Sequence, residues 1–252
     1  RRSSDLIQKR SISMPTEMPT QSRIEDFPFA AVLWDMDGTL IDSEPIWIQQ
    51  EYELMASFGV TWSDQDAIHC VGGPMTRVDA YMRSKLDEAT QQLFPPMALT
   101  EQLLLRMADQ MNQGVDFALG AENLLKEFKA LGIKQGLVSA SSRQLVDAAL
   151  NSIGAGYFEV TIADNDVVIS KPNPEGYLKA ASRIEVDIKD CLILEDSITG
   201  TTAAIQSGAY VIGIPHVAEL PTGPKVVHIN SLVGTNVASI VGKFSSLIGD
   251  LR

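Results

Sequence analysis

The chain has 252 residues, 45% of them hydrophobic and 21% charged, with a formal net charge of -12. Such a composition describes one sizeable globular core with a smaller domain beside it, and excludes a disordered, fibrous or disulfide-framed chain. The negative balance excludes a polyanion-binding surface, which needs clustered Lys and Arg, so no nucleic-acid partner is expected.

Residues 1–26 are rich in Ser, Thr, Pro and basic side chains and lack the apolar centre of a secretory signal. With Met14 and Met18 inside it, this segment is expected to be disordered or tag-like and to stand outside the fold. The run Val32-Leu33-Trp34-Asp35-Met36-Asp37-Gly38-Thr39-Leu40 then reads as a buried strand that delivers Asp35 and Asp37 at its C-terminal tip. Positions two apart in a strand share a face, so both carboxylates can point at one small volume while Gly38 lets the chain turn away. Like charges held so close call for a cation or a shared proton, and a hard divalent ion such as Mg2+ suits them.

Ser43 with Pro45 two places later predicts a helix start, Ser as the cap. Trp47, Leu54, Met55 and Phe58 recur at helical spacing, and Gly59 marks the stop. Helices are predicted around Arg77–Leu86 and Leu99–Met111, and no strand between about 45 and 112. That makes residues 44–114 a compact helical insertion after the aspartate-bearing strand.

From Val115 helices and apolar strands alternate. Strands are predicted at Lys134–Ser139, Val160–Ala163, Cys191–Leu194 and Tyr210–Ile214. Helices are predicted on the Leu124, Val146, Tyr177 and Ala204 faces, and the cleanest amphipathic one spans Val237 to Ile248. Alternation of this kind implies right-handed crossovers and a mainly parallel sheet, an α/β core over 27–43 and 115–252 with ligands outside the carboxyl ends of its strands.

Three further strand ends are expected to bring reactive groups to that edge. Ser139-Ala140-Ser141-Ser142 offers a hydroxyl and free N–H groups at a helix start, although Ser141 or Ser142 alone reads as well as a helix cap. Ser170-Lys171-Pro172 sets a lysine in a rigid turn, and Leu194-Glu195-Asp196-Ser197 closes the most apolar strand with adjacent carboxylates. Asp35, Asp37, Glu195 and Asp196 facing Lys171 leave excess negative charge, so a divalent cation is needed before an anion can enter. A phosphate monoester between metal and lysine completes the balance: one carboxylate attacks phosphorus, another protonates the departing alkoxide and then activates water.

These residues resemble the four motifs of the haloacid dehalogenase superfamily of aspartate-nucleophile phosphatases, over nearly all of 29–250. The motifs fall in order: Asp35-Met36-Asp37-Gly38-Thr39, Ser139 in Val138-Ser139-Ala140-Ser141, Lys171-Pro172, and Glu195-Asp196. The resemblance implies a Rossmann-like core with helices on both faces. It also implies Asp35 as nucleophile, Asp37 as general acid and base, and Mg2+ held by Asp35, the Asp37 backbone carbonyl and Asp196, with Glu195 assisting. Ser139, the Ala140 amide and Lys171 would hold the phosphate of a small phosphorylated metabolite.

The insertion is similar to the mobile cap of the subgroup containing beta-phosphoglucomutase and the 2-deoxyglucose-6-phosphate and hexitol phosphate phosphatases. Its hinges would be Asp42–Pro45 and 115–120. Trp47 stands where the mutases carry a histidine, which tilts the resemblance towards hydrolysis of sugar or sugar alcohol phosphates. A phosphosugar mutase and a non-catalytic phosphate-binding relative are the alternatives. Trp47 and Arg77 are the candidate cap contacts to substrate, with cap packing and a solvated arginine as their other readings. His69, His216 and His228 read as structural or surface residues, and nothing around Lys85 supports the Schiff base of the phosphonate-cleaving branch.

Cys70 and Cys191 lie far apart, as two unpaired thiols that fit a reducing cytoplasm. No apolar stretch approaches the roughly 20 residues that span a bilayer, so no membrane partner is expected, and a monomer is the default.

Overall fold

A computed structural model describes residues 27–71, 74–216 and 218–249. The expected leader at 1–26 lies outside these residues.

Strand β1 is Ala31–Trp34, buried along its whole length. It pairs in parallel with β2 (Lys134–Val138) on one side and β4 (Cys191–Glu195) on the other. With β3 (Val160–Ile162), β5 (Tyr210–Gly213) and β6 (Val226–His228) the sheet has the order β3-β2-β1-β4-β5-β6, every neighbour parallel. The chain winds outward from β1 in one direction and then in the other, so a crevice opens at the carboxyl end of β1.

Alternation along the strands explains why both faces are covered. Val32 and Trp34 pack with Leu192 and Leu194 under α6 (Ala121–Ala130), α7 (Arg143–Ile153) and α10 (Val237–Gly249). Ala31 and Leu33 pack with Cys191 and Ile193 under α8 (Glu175–Arg183) and α9 (Ile198–Ser207). Parallel strands buried on both faces read as unbroken apolar runs, which is why β1 and β4 stand out in the sequence, while β2 is apolar only at Leu137 and Val138. One polar tie runs through this core. The fully buried Trp34 donates its indole N–H to Gln135 Oε1 at 2.9 Å, and Gln135 Nε2 reaches the Leu125 carbonyl of α6 at 3.2 Å. An unpaired indole N–H here would cost about 1–3 kcal/mol.

Between β1 and α6 lie, among the described residues, five helices and no strand: α1 (Glu44–Ser57), α2 (Asp64–Cys70), α3 (Met75–Ser84), α4 (Glu88–Leu93) and α5 (Ala98–Gln113). The segments that lead into and out of this insertion pair with each other. Asp42 N–H donates to Asp116 O at 2.9 Å and Ala118 N–H to Leu40 O at 3.0 Å. The α5 helix also lies against α7, which ties the insertion to the core.

Four local expectations change. Helix α1 begins at Glu44 with Pro45 in its first turn, but the Ser43 side chain makes no capping bond. Helices α2 and α4 add to the two expected in 63–112, and β6 adds a short edge strand. Lys171 sits in the connection between β3 and α8, nine positions past the strand, so it reaches the site on a loop and its own side chain. Asp37 likewise lies beyond β1, in a tight turn that bridges to Ile41.

Candidate active site

The reactive residues converge at the carboxyl end of β1. The Asp35 amide still belongs to the sheet, donating to Leu194 O at 3.0 Å, so its carboxylate emerges where the strand stops. Lys171 Nζ binds it, lying 2.5 Å from Asp35 Oδ1, 2.7 Å from Glu195 Oε1 and 2.9 Å from Val138 O. Glu195, fully buried at the end of β4, has both oxygens engaged. Tyr177 O–H donates to Oε1 at 2.7 Å, while Oε2 accepts from the amides of Asp196 and Ser197 and the Ser197 hydroxyl at 3.1–3.2 Å. Asp196 in turn accepts from Thr39 Oγ1 at 2.9 Å.

Asp37 goes a different way. Its Oδ1 accepts from Ser43 Oγ and its Oδ2 from Ser141 Oγ, both at 2.7 Å, with Ser139 Oγ at 3.4 Å. The Ser43 hydroxyl that was expected to cap α1 is therefore spent on Asp37. Ser141, too, serves this carboxylate and does not cap α7. Ser139 Oγ accepts from the Ser141 amide at 2.9 Å, which fixes the loop after β2.

Burial and then the neighbouring Glu195 charge push the Asp35 carboxyl well above its usual range, against Lys171. The same two causes, in the same order, push Asp196 up to about 6. Burial works against the Lys171 ammonium, but Asp35 and Glu195 outweigh it and raise its pKa. Burial and Glu195 raise Tyr177, which keeps it a donor.

Carboxylate oxygens of Asp35, Glu195 and Asp196 lie within 4.8 Å of one another. Asp37's carboxylate is not one of the three. A compact all-oxygen donor set, with two members whose charge is uncompensated enough to raise their pKa, fits a hard divalent cation. The sheet edge is also shaped for it: Gly38 turns at φ +85°, and a Cβ there would lie 2.3 Å from Asp196 Oδ2.

Over this floor, closed by the helical insertion, is a cavity of about 380 Å³. Asp35, Asp37, Ala140, Ser141 and Asp196 line its floor and Trp47 its roof. Of the sequence-predicted site residues, Asp35, Lys171, Glu195 and Asp196 form one hydrogen-bonded group and Asp37 with Ser139 a second beside it, with Ala140 and Trp47 on the cavity wall. Arg77 does not line the cavity; its guanidinium donates to the carbonyls of His69 at 3.0 Å and Val71 at 3.2 Å, at the end of α2. His216, read as a structural or surface residue, lies at the site's edge, its Nε2 3.0 Å from Gly38 O and 3.7 Å from Asp196 Oδ2. Lys85 pairs with Asp66 at 2.6 Å. Sequence reasoning missed Ser43, Thr39 and Tyr177 as partners of the site; Thr39 lay inside the quoted motif, and Ser43 was in view only as a cap.

The haloacid dehalogenase-like hydrolase family profile matches residues 32–214, most of the chain. The chain belongs to the haloacid dehalogenase-like hydrolases, on the phosphatase side of that family. It is 29% identical over 206 residues to hexitol phosphatase B of Escherichia coli O157:H7, covering 79% of this chain and 89% of that protein. It is 28% identical over 209 residues to the bifunctional riboflavin kinase/FMN phosphatase of Arabidopsis thaliana, covering 79% of this chain but only 50% of that longer protein. The fold is that of the beta-phosphoglucomutase of Clostridium difficile, with a TM-score of 0.68 over 89% of this chain and all of that one, at 22% identity. Among the described residues no helix is long and apolar enough to cross a membrane.

Proposed function

We propose that this chain is a Mg2+-dependent phosphatase of small phosphorylated sugars or sugar alcohols, working through an aspartyl-phosphate (acyl phosphate) on Asp35. The observation that carries the reading is the Lys171 contact to Asp35 at 2.5 Å, beside Glu195 and Asp196 and beneath a cavity that the helical insertion overhangs. Similarity to hexitol phosphatase B supports the sugar alcohol class.

Lys171 takes Asp35 Oδ1, which leaves Oδ2 with no side-chain hydrogen bond among the described residues and free to attack phosphorus. As the new P–O bond forms, the ester P–O bond breaks and Asp37 gives a proton to the departing alkoxide. Asp37 then takes a proton from a water that attacks the phosphoryl group, releasing inorganic phosphate and restoring Asp35. Ser43 and Ser141 hold Asp37 from both sides, so its carboxyl is oriented before substrate arrives. Asp35 and Asp196, with Glu195 behind them and the Asp37 carbonyl nearby, would hold Mg2+, which supplies positive charge to the phosphoryl oxygens. Ser139 and the Ala140 amide are the proposed phosphate contacts from the β2 side, and Lys171 orients Asp35 from below. The helical insertion acts as a cap that excludes water over residues 44–114.

The deciding experiment is phosphate release from a panel of hexose, pentose and hexitol phosphates with Mg2+ and with excess chelator. Release that needs the metal and vanishes in Asp35→Asn supports the reading. Release that survives Asp35→Asn removes Asp35 as nucleophile.

A further inference from the structure

The roof of the cavity is largely apolar, with two carboxylates of α1 on it: Glu44, which is exposed, and Glu51, which is placed deep in it. Helix α1 presents Trp47, Ile48 and Glu51 at helical spacing to the cavity, and Met75, Val78 and Leu103 extend the wall from α3 and α5. Glu51 is therefore the buried carboxylate on this face of α1, next to apolar side chains, while Glu44 one turn before Trp47 stays exposed. It is 5% exposed, and its recorded hydrogen bond is a long one from Trp62 Nε1 to Oε2 at 3.3 Å. Its Oε1 has no donor among the described residues. A carboxyl group buried with so little compensation is unfavourable, and burial pushes it up to about 7. Among the described residues that line the cavity none is Lys, Arg or His.

We propose that Glu51 is a specificity-determining residue, which accepts a hydrogen bond from a hydroxyl or N–H on the alcohol half of a monophosphate and rejects substrates carrying a second anionic group. The inference rests on the reading of the Asp35 floor as the phosphate end of the cavity. With one end committed to the transferred phosphate, the alcohol half must lie along Trp47 towards Glu51. There it meets a mainly apolar wall, one buried acceptor and no cation. A bisphosphate or a phospho-acid would set its second charge against a carboxylate in a poorly hydrated space, where repulsion is strong. A neutral alcohol with an apolar ring face and one donor satisfies every group on the wall.

Three aryl esters that share one leaving-group frame test this: phenyl phosphate, 4-(hydroxymethyl)phenyl phosphate and 4-carboxyphenyl phosphate. They are compared at pH 8 with Mg2+ in the full chain and in Glu51→Gln, which removes the charge while keeping a group able to accept from Trp62. The expected result is that Glu51→Gln raises kcat/KM for the carboxyphenyl ester relative to phenyl phosphate by about tenfold or more. The wild type should prefer the hydroxymethyl ester over phenyl phosphate. A carboxyphenyl-to-phenyl ratio that Glu51→Gln leaves unchanged overturns the proposal and reduces Glu51 to an anchor for Trp62. If no ester is hydrolysed, the phosphatase reading fails separately. The same ratio is then read from ligand-induced shifts in Tm, and a ranking blind to the charge at position 51 overturns the inference.

Discussion

Gly200, in the first turn of α9, lies so close to Glu195 that a Cβ on it would sit 1.7 Å from Glu195 Oε1. This close approach allows the carboxylate to accept from the backbone at the start of α9 while also facing Lys171 and Tyr177. Inside an ordinary helix Gly→Ala would stabilise by up to about 1 kcal/mol. Here the methyl group meets a carboxylate fixed by five hydrogen-bond donors, and overpacking of that kind costs about 1–3 kcal/mol. Gly200→Ala is expected to lower Tm and to abolish phosphate release, both measurable on one preparation. An unchanged or raised Tm would mean that Glu195 can move aside.

Metal binding should stabilise the protein, and more so at high pH. Asp196 is held up to about 6 against an ordinary value of 3.8, so between those pH values the folded state binds more protons than the unfolded one. The metal-free protein therefore loses stability as pH rises through that window and levels off above it. A cation at Asp35 and Asp196 replaces the bound proton and removes the repulsion. Mg2+ at about a hundredfold over its Kd would add about 2.7 kcal/mol. The Tm increment from Mg2+ is expected to be larger at pH 8 than at pH 5 and to shrink in Asp196→Asn; equal increments at both pH values would place the ion elsewhere.

Much of the site was legible because its residues end buried strands. β1 and β4 are apolar runs and β2 ends in the apolar pair Leu137-Val138, and Asp35, Ser139 and Glu195 stand at the point where each strand stops, so the sheet alone brings them together. What escaped depends on side chains that act across turns or long sequence distances, or against backbone. Ser43 looks like a cap because caps are local, yet its partner is Asp37 across a turn. Arg77 looks like a substrate ligand, but three-dimensional folding sets the His69 and Val71 carbonyls within its reach. His216 meets Asp196 only after α9 and β5 have brought the chain back. Helix α4 buries none of its residues and so carries no apolar period to read; Asp87 starts it by accepting from the Thr90 amide at 2.8 Å.

The two hydroxyls on Asp37 should separate catalysis from binding. Ser141→Ala removes one of two 2.7 Å bonds without touching Asp35, Lys171 or Asp196. The expected effect is a fall in kcat of about tenfold with little change in KM, because orientation of the acid matters in the transition state more than in the ground state. Steady-state kinetics on the best ester of the panel checks it. A rise in KM at constant kcat would instead make Ser141 a phosphate contact.

The buried carboxyl of Glu51 gives the cap its own pH signature. Its pKa of about 7 lies above the ordinary 4.5, so the folded protein holds a proton that the unfolded chain releases. Stability is consequently greatest below about 4.5 with respect to this group, and falls as pH rises towards about 7. The groups facing it are the Trp62 indole, which donates to it, and the Cys70 thiol, itself pushed up to about 12 by burial and then by the Glu51 charge, and so neutral through this window. Asp66 and Arg77 act on that thiol from further out with opposite signs. Glu51→Gln has no proton to lose, so its Tm relative to wild type should rise between pH 5 and about pH 7 and level off by pH 8. Because Gln keeps an acceptor for Trp62, loss of that bond cannot produce the trend. A constant Tm difference across the range would mean that Glu51 is already ionised at pH 5, and that the wall beside Trp47 is wetter than its burial implies.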